Sequence, residues 1–483
     1  MSQDWDVIII GAGTAGLPAA IFAAERSDRI LVLDAAPEIG GTLHLSSGQM
    51  SGAGTRLQKE KGYEDSPAQH IEDIMRISKN TADREIAGLA VDNAAETLDW
   101  IESINFRPLP EHPVKGQAHE PYSVNRYVWG ESKGKAILAV LRPLFEKLVK
   151  SGKVTLKLNT RASELVQNSN GAITGVIAQS RSGSTETHMA GAVLIAAGGY
   201  VANGAMYKEL SGGHPAYGDH SYPYCIGDGL KLGLDAGGTA WGHKNYLTSF
   251  GCVMQSYDVP SKVRWRQIHW PERRMPWEIY VNAHGKRFIR EDEPSVDVRE
   301  HTIQDQPGLR HWIVFDSETL REAPALFADV SASDIQSAAE KGEPMFYVAG
   351  SIAALAEKAG LPATTLEETV NSYNIGQASE KDSFGREIMP RPITDGPFYA
   401  IRSQAMSVSS TVGLKVNTNL EVVRGDGSPV IGLYAAGESL GQGAMMGSSF
   451  CGGMLVTPAL TFGKMLGQRL LPIGDPGLSR SDN

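Results

Sequence analysis

Cysteine is scarce in this chain: Cys225, Cys252 and Cys451 are the only three among 483 residues, and none has a partner at C-x-x-C or metal-ligand spacing. That argues against a disulfide framework, and no metal is expected. The set suits a reducing compartment, so a cytoplasmic location is the expectation. Positive charge is in the minority, with 45 Lys and Arg against 55 Asp and Glu and a formal net charge of -10. Nucleic acid and anionic membranes are therefore not expected partners. No apolar run approaches the length of a membrane span. The first apolar strand starts at Val7, which leaves no room ahead of it for a signal peptide. Internal repeats and low-complexity tracts are also missing. What remains is a chain long enough for two or three domains around a large core.

What is present begins at once. Val7-Ile8-Ile9-Ile10 opens directly into Gly11-Ala12-Gly13-Thr14-Ala15-Gly16, then a small-residue helix, then the strand Ile30-Leu31-Val32-Leu33 ending in Asp34. Strand, G-x-G-x-x-G, helix, strand and terminal acid in this order make a dinucleotide-binding fingerprint. Gly11 permits the tight turn, Gly13 leaves room for a pyrophosphate, and Gly16 lets the helix pack on the strand; Ala15 lies in the same turn. The first N–H groups of the helix face the phosphates. Asp34 is placed to accept from a ribose hydroxyl.

Residues 39–55 are dense in glycine and small hydroxyl residues, with Gly41, Thr42, Gly48 and Gln49 among them, and end in Ala53-Gly54-Thr55. Such a backbone can lie against a large planar ligand, or it is a flexible surface loop. With this run the chain resembles the flavoprotein family of fumarate reductase, succinate dehydrogenase and the 3-ketosteroid dehydrogenases, whose members carry a similar stretch ending in A-G-T. The resemblance implies FAD as the cofactor, with Gly41, Thr42, Gly48 and Gln49 at its site. It also singles out His44, because membrane succinate dehydrogenases attach FAD through a histidine in this turn, one or two residues out of register with His44.

Helices are expected over 67–79, capped by Ser66 with Pro67 in the first turn, over 84–104, and over 135–148. The proline-rich loop 108–129 contains His119-Glu120-Pro121-Tyr122, Tyr127 and Trp129, and reads either as a packed cover or as part of a substrate pocket. Short strands follow from Val154. The apolar run 192–197 reads as a central parallel strand buried on both faces. By the resemblance, these strands are the family's β-meander, Ala162 meets the adenine, and Asp228 of Gly227-Asp228-Gly229 lies near the FAD. Without it, Asp228 is an ordinary helix cap.

Residues 245–395 carry no nucleotide-binding signal and read as an inserted cap. Basic and aromatic residues interleave there from Lys262 to Trp277, as a solvated or subunit-contacting face or as a site for an anionic substrate. The return to the cofactor domain is expected at Gly396. The last signatures are the strand 432–436 running into Gly437-Glu438, and Gly453-Met454-Leu455 opening a final helix. The family likeness puts Glu438 at the FAD ribitol and aims the N–H groups of that helix start at the flavin, where the dipole stabilises its anionic reduced form. The expected fold is α/β: a Rossmann-like FAD-binding domain with a parallel sheet and β-meander over 1–244 and 396–483, plus an inserted α+β cap domain over 245–395.

The resemblance also shows what is missing. Fumarate reductases clamp the substrate carboxylates with His and Arg and deliver the proton from an Arg; here Phe250, Ser295, Ser410 and Phe450 fall at those positions. Burying an unpaired carboxylate is very costly, so fumarate and succinate are disfavoured. In the ketosteroid branch a polarised carbonyl acidifies the neighbouring C–H, a tyrosine takes that proton, and the flavin N5 accepts hydride. The stretch 457–463 is similar to that branch, and Gly453 keeps an N–H for a ketone, but the branch's tyrosines fall at Ser295 and at Ser449 or Phe450. Tyr122, Tyr127 and Tyr246 are left as candidate proton acceptors, and Arg299 as a group to bind a carboxylate or lower a tyrosine's pKa. A packed aromatic with a satisfied hydroxyl explains each tyrosine more simply, and a surface ion pair does the same for Arg299. The expectation is an FAD-dependent dehydrogenase that introduces a C=C bond next to the carbonyl of a small cyclic ketone or keto acid, of the 4-oxocyclohexanecarboxylate type, with electrons passing to an acceptor the sequence does not name. The alternatives are a reductase of an activated alkene and a flavin-binding module without turnover.

Overall fold

The apolar runs that alternate with turns near the N-terminus form the middle of a parallel sheet. The computed structural model describes residues 4–116, 119–219, 221–407 and 409–471. In it the strands Glu421–Val423, Pro429–Ala435, Thr185–Ile195, Trp5–Ile10, Ile30–Leu33 and Val154–Lys157 lie side by side in that order. All but the first pair run parallel, with Val7 opposite Ile30 and Ile10 opposite both Leu33 and Ile195. Strands covered on both faces read as unbroken Val, Ile and Leu rather than as an alternation, and residues 7–10 and 30–33 are buried throughout. Thr160–Gln167, Ile173–Ser180 and the first half of Thr185–Ile195 make the antiparallel meander.

Small residues let the two ends of the chain meet. The helix Gly16–Ala23 is buried along its whole length, and the terminal helix Val456–Arg469 packs on it so closely that a Cβ on Gly463 or Gly467 would strike the carbonyl of Ala15 or Ala19. The expected helices form at Pro67–Ile77, Arg84–Ser103 and Gly134–Lys150, the first capped by Ser66, whose Oγ accepts from the Gln69 N–H at 3.2 Å. Among the described residues no helix is long and apolar enough to cross a membrane.

The cap is α+β around an antiparallel sheet in the order Val263–Arg266, Cys252–Met254, Phe398–Gln404, Arg310–Asp316, Ile279–Val281, with Phe346–Ala349 also paired to Phe398–Gln404. Helices Ile352–Ala359 and Ala363–Ser379 cover one face. One expected boundary moves. Phe398–Gln404 pairs with Arg310–Asp316 over seven residues, so the chain leaves the cap after Gln404 rather than at Gly396. The Gly396-Pro397 turn punctuates the cap; it does not end it.

Candidate active site

A cavity of about 790 Å³ opens where the first strand, the meander and the terminal helix converge, a size typical of large-ligand pockets. Gly11, Gly13, Thr14 and Ala15 form one stretch of its wall, with Asp34, Gly41, Thr42, Gln49, Ala162, Asp228, Glu438, Gly453 and Leu455 around the rest. Gly11 holds φ +107°, and a Cβ there would collide with the Ala196 carbonyl. Gly13 and Gly41 face each other: a Cβ on Gly13 would meet only the Cα of Gly41, at 3.8 Å. That passage, walled by backbone, suits a slender dinucleotide.

The acids around it are held in place. Asp34 accepts from the N–H groups of Ala12 (2.7 Å) and Ala36 (2.8 Å), and burial still raises its pKa. Both oxygens keep a lone pair for a ribose hydroxyl. Glu438 is half-buried, accepts from the Ser410 N–H at 2.8 Å, and its pKa is likewise raised by desolvation. Asp228 pairs with Arg161 at the meander end of the wall. The donor set of backbone amides and carboxylates fits FAD.

Three residues expected at the cofactor stand behind the wall. Gly16 packs on the Gly11 carbonyl, and Gly48, at φ +65°, abuts the Lys133–Gly134 backbone. Met454 is buried in the core. His44 is also off the wall, its Nε2 lying 3.0 Å from the Ile39 carbonyl.

The three tyrosines considered as proton acceptors, and Arg299 as their charge or a carboxylate's, do not line the cavity. Tyr122 donates to the Gly452 carbonyl at 2.6 Å, and burial pushes its pKa well up. Tyr127 is buried under Gly452 and edges onto Trp129, and its pKa is raised by burial. Tyr246 stacks on His214 with ring centres 5.0 Å apart, and its pKa is raised by burial too. Arg299 is buried, donating to the carbonyls of Glu293 (2.8 Å) and Glu291 (2.9 Å), where burial lowers its pKa. Tyr122 and Arg299 hold backbone carbonyls, and Tyr127 and Tyr246 pack against neighbouring rings.

Of the four residues standing where a fumarate clamp is expected, Phe450 alone lines the cavity. Phe250 is packed in the cap 4.7 Å from the His311 ring, and Ser410 Oγ accepts from the Tyr200 N–H at 2.7 Å. Ser295 caps the helix Val296–Gln304, its Oγ accepting from the Val298 N–H at 3.2 Å. That helix sets Asp297 and Glu300 three residues apart on one side.

Those two acids meet a histidine from the other domain. His119 Nδ1 lies 3.3 Å from Asp297 Oδ1 and 3.9 Å from Glu300 Oε2, and its ring sits 4.4 Å from the Phe450 ring on the cavity wall. Asp297 also accepts from the Glu120 N–H at 2.7 Å, and its pKa is lowered. Two carboxylates this deeply buried do not both ionise. Burial pushes Glu300 up to about 8, and Asp297 reinforces the shift. Burial opposes a charge on His119, but the carboxylates outweigh it and its pKa is raised. The ligand atoms of the three residues lie within 4.8 Å of one another, the single such grouping of metal-type ligands among the described residues. With Asp297 already bonded to Glu120 and His119, we read it as an acid–base cluster. Arg266, exposed on the cap, is the one cap residue on the cavity wall. Half-buried His269, close by in sequence, is pushed down to about 3 by desolvation and by Arg299, and is neutral.

Comparison with known proteins places this geometry. The FAD binding domain family model matches residues 6–455. A probable fumarate reductase, Ifc3, of Shewanella frigidimarina is 29% identical over 96% of this chain and 74% of its own length. A 4-oxocyclohexanecarboxylate 2-dehydrogenase of Sinomonas cyclohexanicum is 24% identical over 96% of this chain and 92% of its own. The solved 3-ketosteroid Δ1-dehydrogenase of Sterolibacterium denitrificans shares the fold, with a TM-score of 0.74 at 19% identity, covering 97% of this chain and 99% of that one. The chain belongs to the FAD binding domain family and is an FAD-dependent oxidoreductase.

Proposed function

We propose that the protein reduces a carbon–carbon double bond conjugated to a carbonyl, in a small cyclic or aryl compound with at most one carboxylate, and that His119 supplies the proton. The observation that carries this reading is the His119–Asp297–Glu300 cluster behind Phe450. An imidazole that keeps its proton, backed by Asp297 as carboxylate and Glu300 as carboxylic acid, is an acid ready to protonate the carbon next to a carbonyl. Bound FAD supplies the hydride for the other alkene carbon, with its electrons drawn from a donor outside this chain. Phe450 excludes water and offers a ring face to a flat substrate, and Arg266 provides one charge for one carboxylate. The cysteine content supports the cytoplasm as the place of reaction.

Dehydrogenation of a cyclic ketone is the second reading, favoured by the likeness to the Sinomonas enzyme. It runs the same geometry backwards and requires His119 to begin without its proton, against the pull of Asp297. Anaerobic mixing separates the two. Dithionite-reduced protein should be reoxidised by 2-cyclohexenone or cinnamate at least about tenfold faster than by fumarate, read at the flavin band. Bleaching of the oxidised protein by a cyclic ketone, with no reoxidation by any enone, replaces the reductase with the dehydrogenase. Silence in both leaves a flavin-binding module.

A further inference from the structure

Two neighbouring arginines of the cap, Arg310 and Arg402, stand without a carboxylate partner among the described residues. Arg310 pairs in register with Gln404, and Trp312 with Arg402. Arg310, Trp312 and Arg402 therefore share one face of the sheet, with the two arginines diagonal to each other. Tyr347, opposite Ala400, stands on the same face. Its hydroxyl is 2.8 Å from that of Tyr257, whose ring lies 5.4 Å from the Arg402 guanidinium. The Arg310 guanidinium lies 5.7 Å from the Trp312 ring.

Four buried arginines are answered by carboxylates, Arg126 by Asp65 and Asp73, Arg274 by Glu278, Arg287 and Arg386 by Glu291, and a fifth, Arg299, by backbone carbonyls. Arg310 and Arg402 have no ion pair or hydrogen-bond acceptor among the described residues. Their Nε atoms and the Trp312 indole nitrogen are all buried without an acceptor, and Trp312 is only 4% exposed. Orphan donors of this kind are destabilising, and two like charges side by side add to that. Burial and the charge of Arg310 together lower the Arg402 pKa. Both arginines and Tyr347 remain partly exposed, so the niche is open. None of them lines the FAD cavity.

We infer that this niche is a second binding site, for a phosphate dianion held between Arg310 and Arg402, either free or carried on a small ester. Two planar guanidinium forks match phosphate oxygens bidentately, and the ligand's two charges balance theirs. The tyrosines then flank the group that bears the phosphate.

Calorimetric titration of the FAD-loaded protein with inorganic phosphate tests this. A saturable single site is expected, weakened at least about tenfold by Arg402→Gln and by Arg310→Gln, with the flavin spectrum unchanged. Adenosine monophosphate is the second probe: tighter binding than phosphate identifies an ester, and equal or weaker binding identifies the free ion. A variant-independent check on the unaltered protein is a rise in melting temperature with phosphate that chloride at equal ionic strength does not reproduce. No saturable binding, or binding that both variants retain, overturns the site.

Discussion

The two sides of the cavity are built in different ways. On the cofactor side the wall is largely backbone: Gly11, Gly13 and Gly41 approach the space with no side chain, and the acids Asp34 and Glu438 are held by neighbouring amides. On the other side the wall is side chains, Phe450 and Arg266, and behind Phe450 His119 meets Asp297 across 178 residues of sequence. A backbone wall is intolerant of any added atom. A side-chain wall can be rewritten one residue at a time without disturbing the fold. One half of the site is thus fixed to a ligand, and the other is free to change its chemistry.

The sharpest way to break the comparison is to load each side with a substitution. Gly11→Val puts a branched side chain at φ +107° against the Ala196 carbonyl, so the purified protein should carry no flavin, read from its visible-to-ultraviolet absorbance ratio. His119→Gln should keep its flavin fully and lose about 10²–10⁴-fold in the rate of reoxidation by an enone. A variant that bleaches and reoxidises normally would return proton transfer to another group. Next in size is the support under the His119 loop. Arg126 is fully buried between Asp65 and Asp73, and Asp73 also binds the Ser123 N–H at 2.8 Å. Arg126→Leu strands both carboxylates and should cost about 3–5 kcal/mol in urea unfolding.

Smaller effects sharpen the picture. Glu300 holds its proton up to about pH 8 in the folded protein, whereas a carboxyl in the unfolded chain loses it near 4.5. The folded state then binds the extra proton, so stability is greatest below the unfolded value and declines as pH rises through this window. The raised His119 has the same sign. Glu300→Gln should flatten the decline between pH 5 and pH 8, measured by denaturant midpoints at the two ends. Smallest is Ser295→Ala, which removes the cap of the helix carrying both acids and should cost about 1 kcal/mol.

How much could be read from the sequence follows the same division. The strand–turn–helix fingerprint, the Ala162 meander and the Gly437-Glu438 turn are local patterns, each set by a few contiguous residues, and the comparisons bear out the fold and the cofactor they imply. The Gly396-Pro397 turn misleads because a turn signal does not say which sheet the next strand joins; Phe398–Gln404 is settled by long-range pairing. The tyrosines draw attention through the family likeness, yet their hydroxyls and rings serve loop packing in the structure. The Asp297-x-x-Glu300 spacing on a capped helix was a visible signal for a carboxylate pair. Nothing in the chain order announces that His119 is its partner.

The cluster straddles the boundary between the two domains. Asp297 and Glu300 ride on the cap, while His119 belongs to a loop pinned to the cofactor domain through Tyr122 and Gly452. On the same cap helix, His301 lies 2.9 Å from the Ser448 carbonyl, on the cofactor side. Any swing that lifts the cap to admit a substrate therefore strips His119 of its counter-charges, and the imidazole reverts to a weaker hold on its proton. In the acid role proposed for His119, its hold on the proton thus depends on the helix Val296–Gln304 staying against the His119 loop.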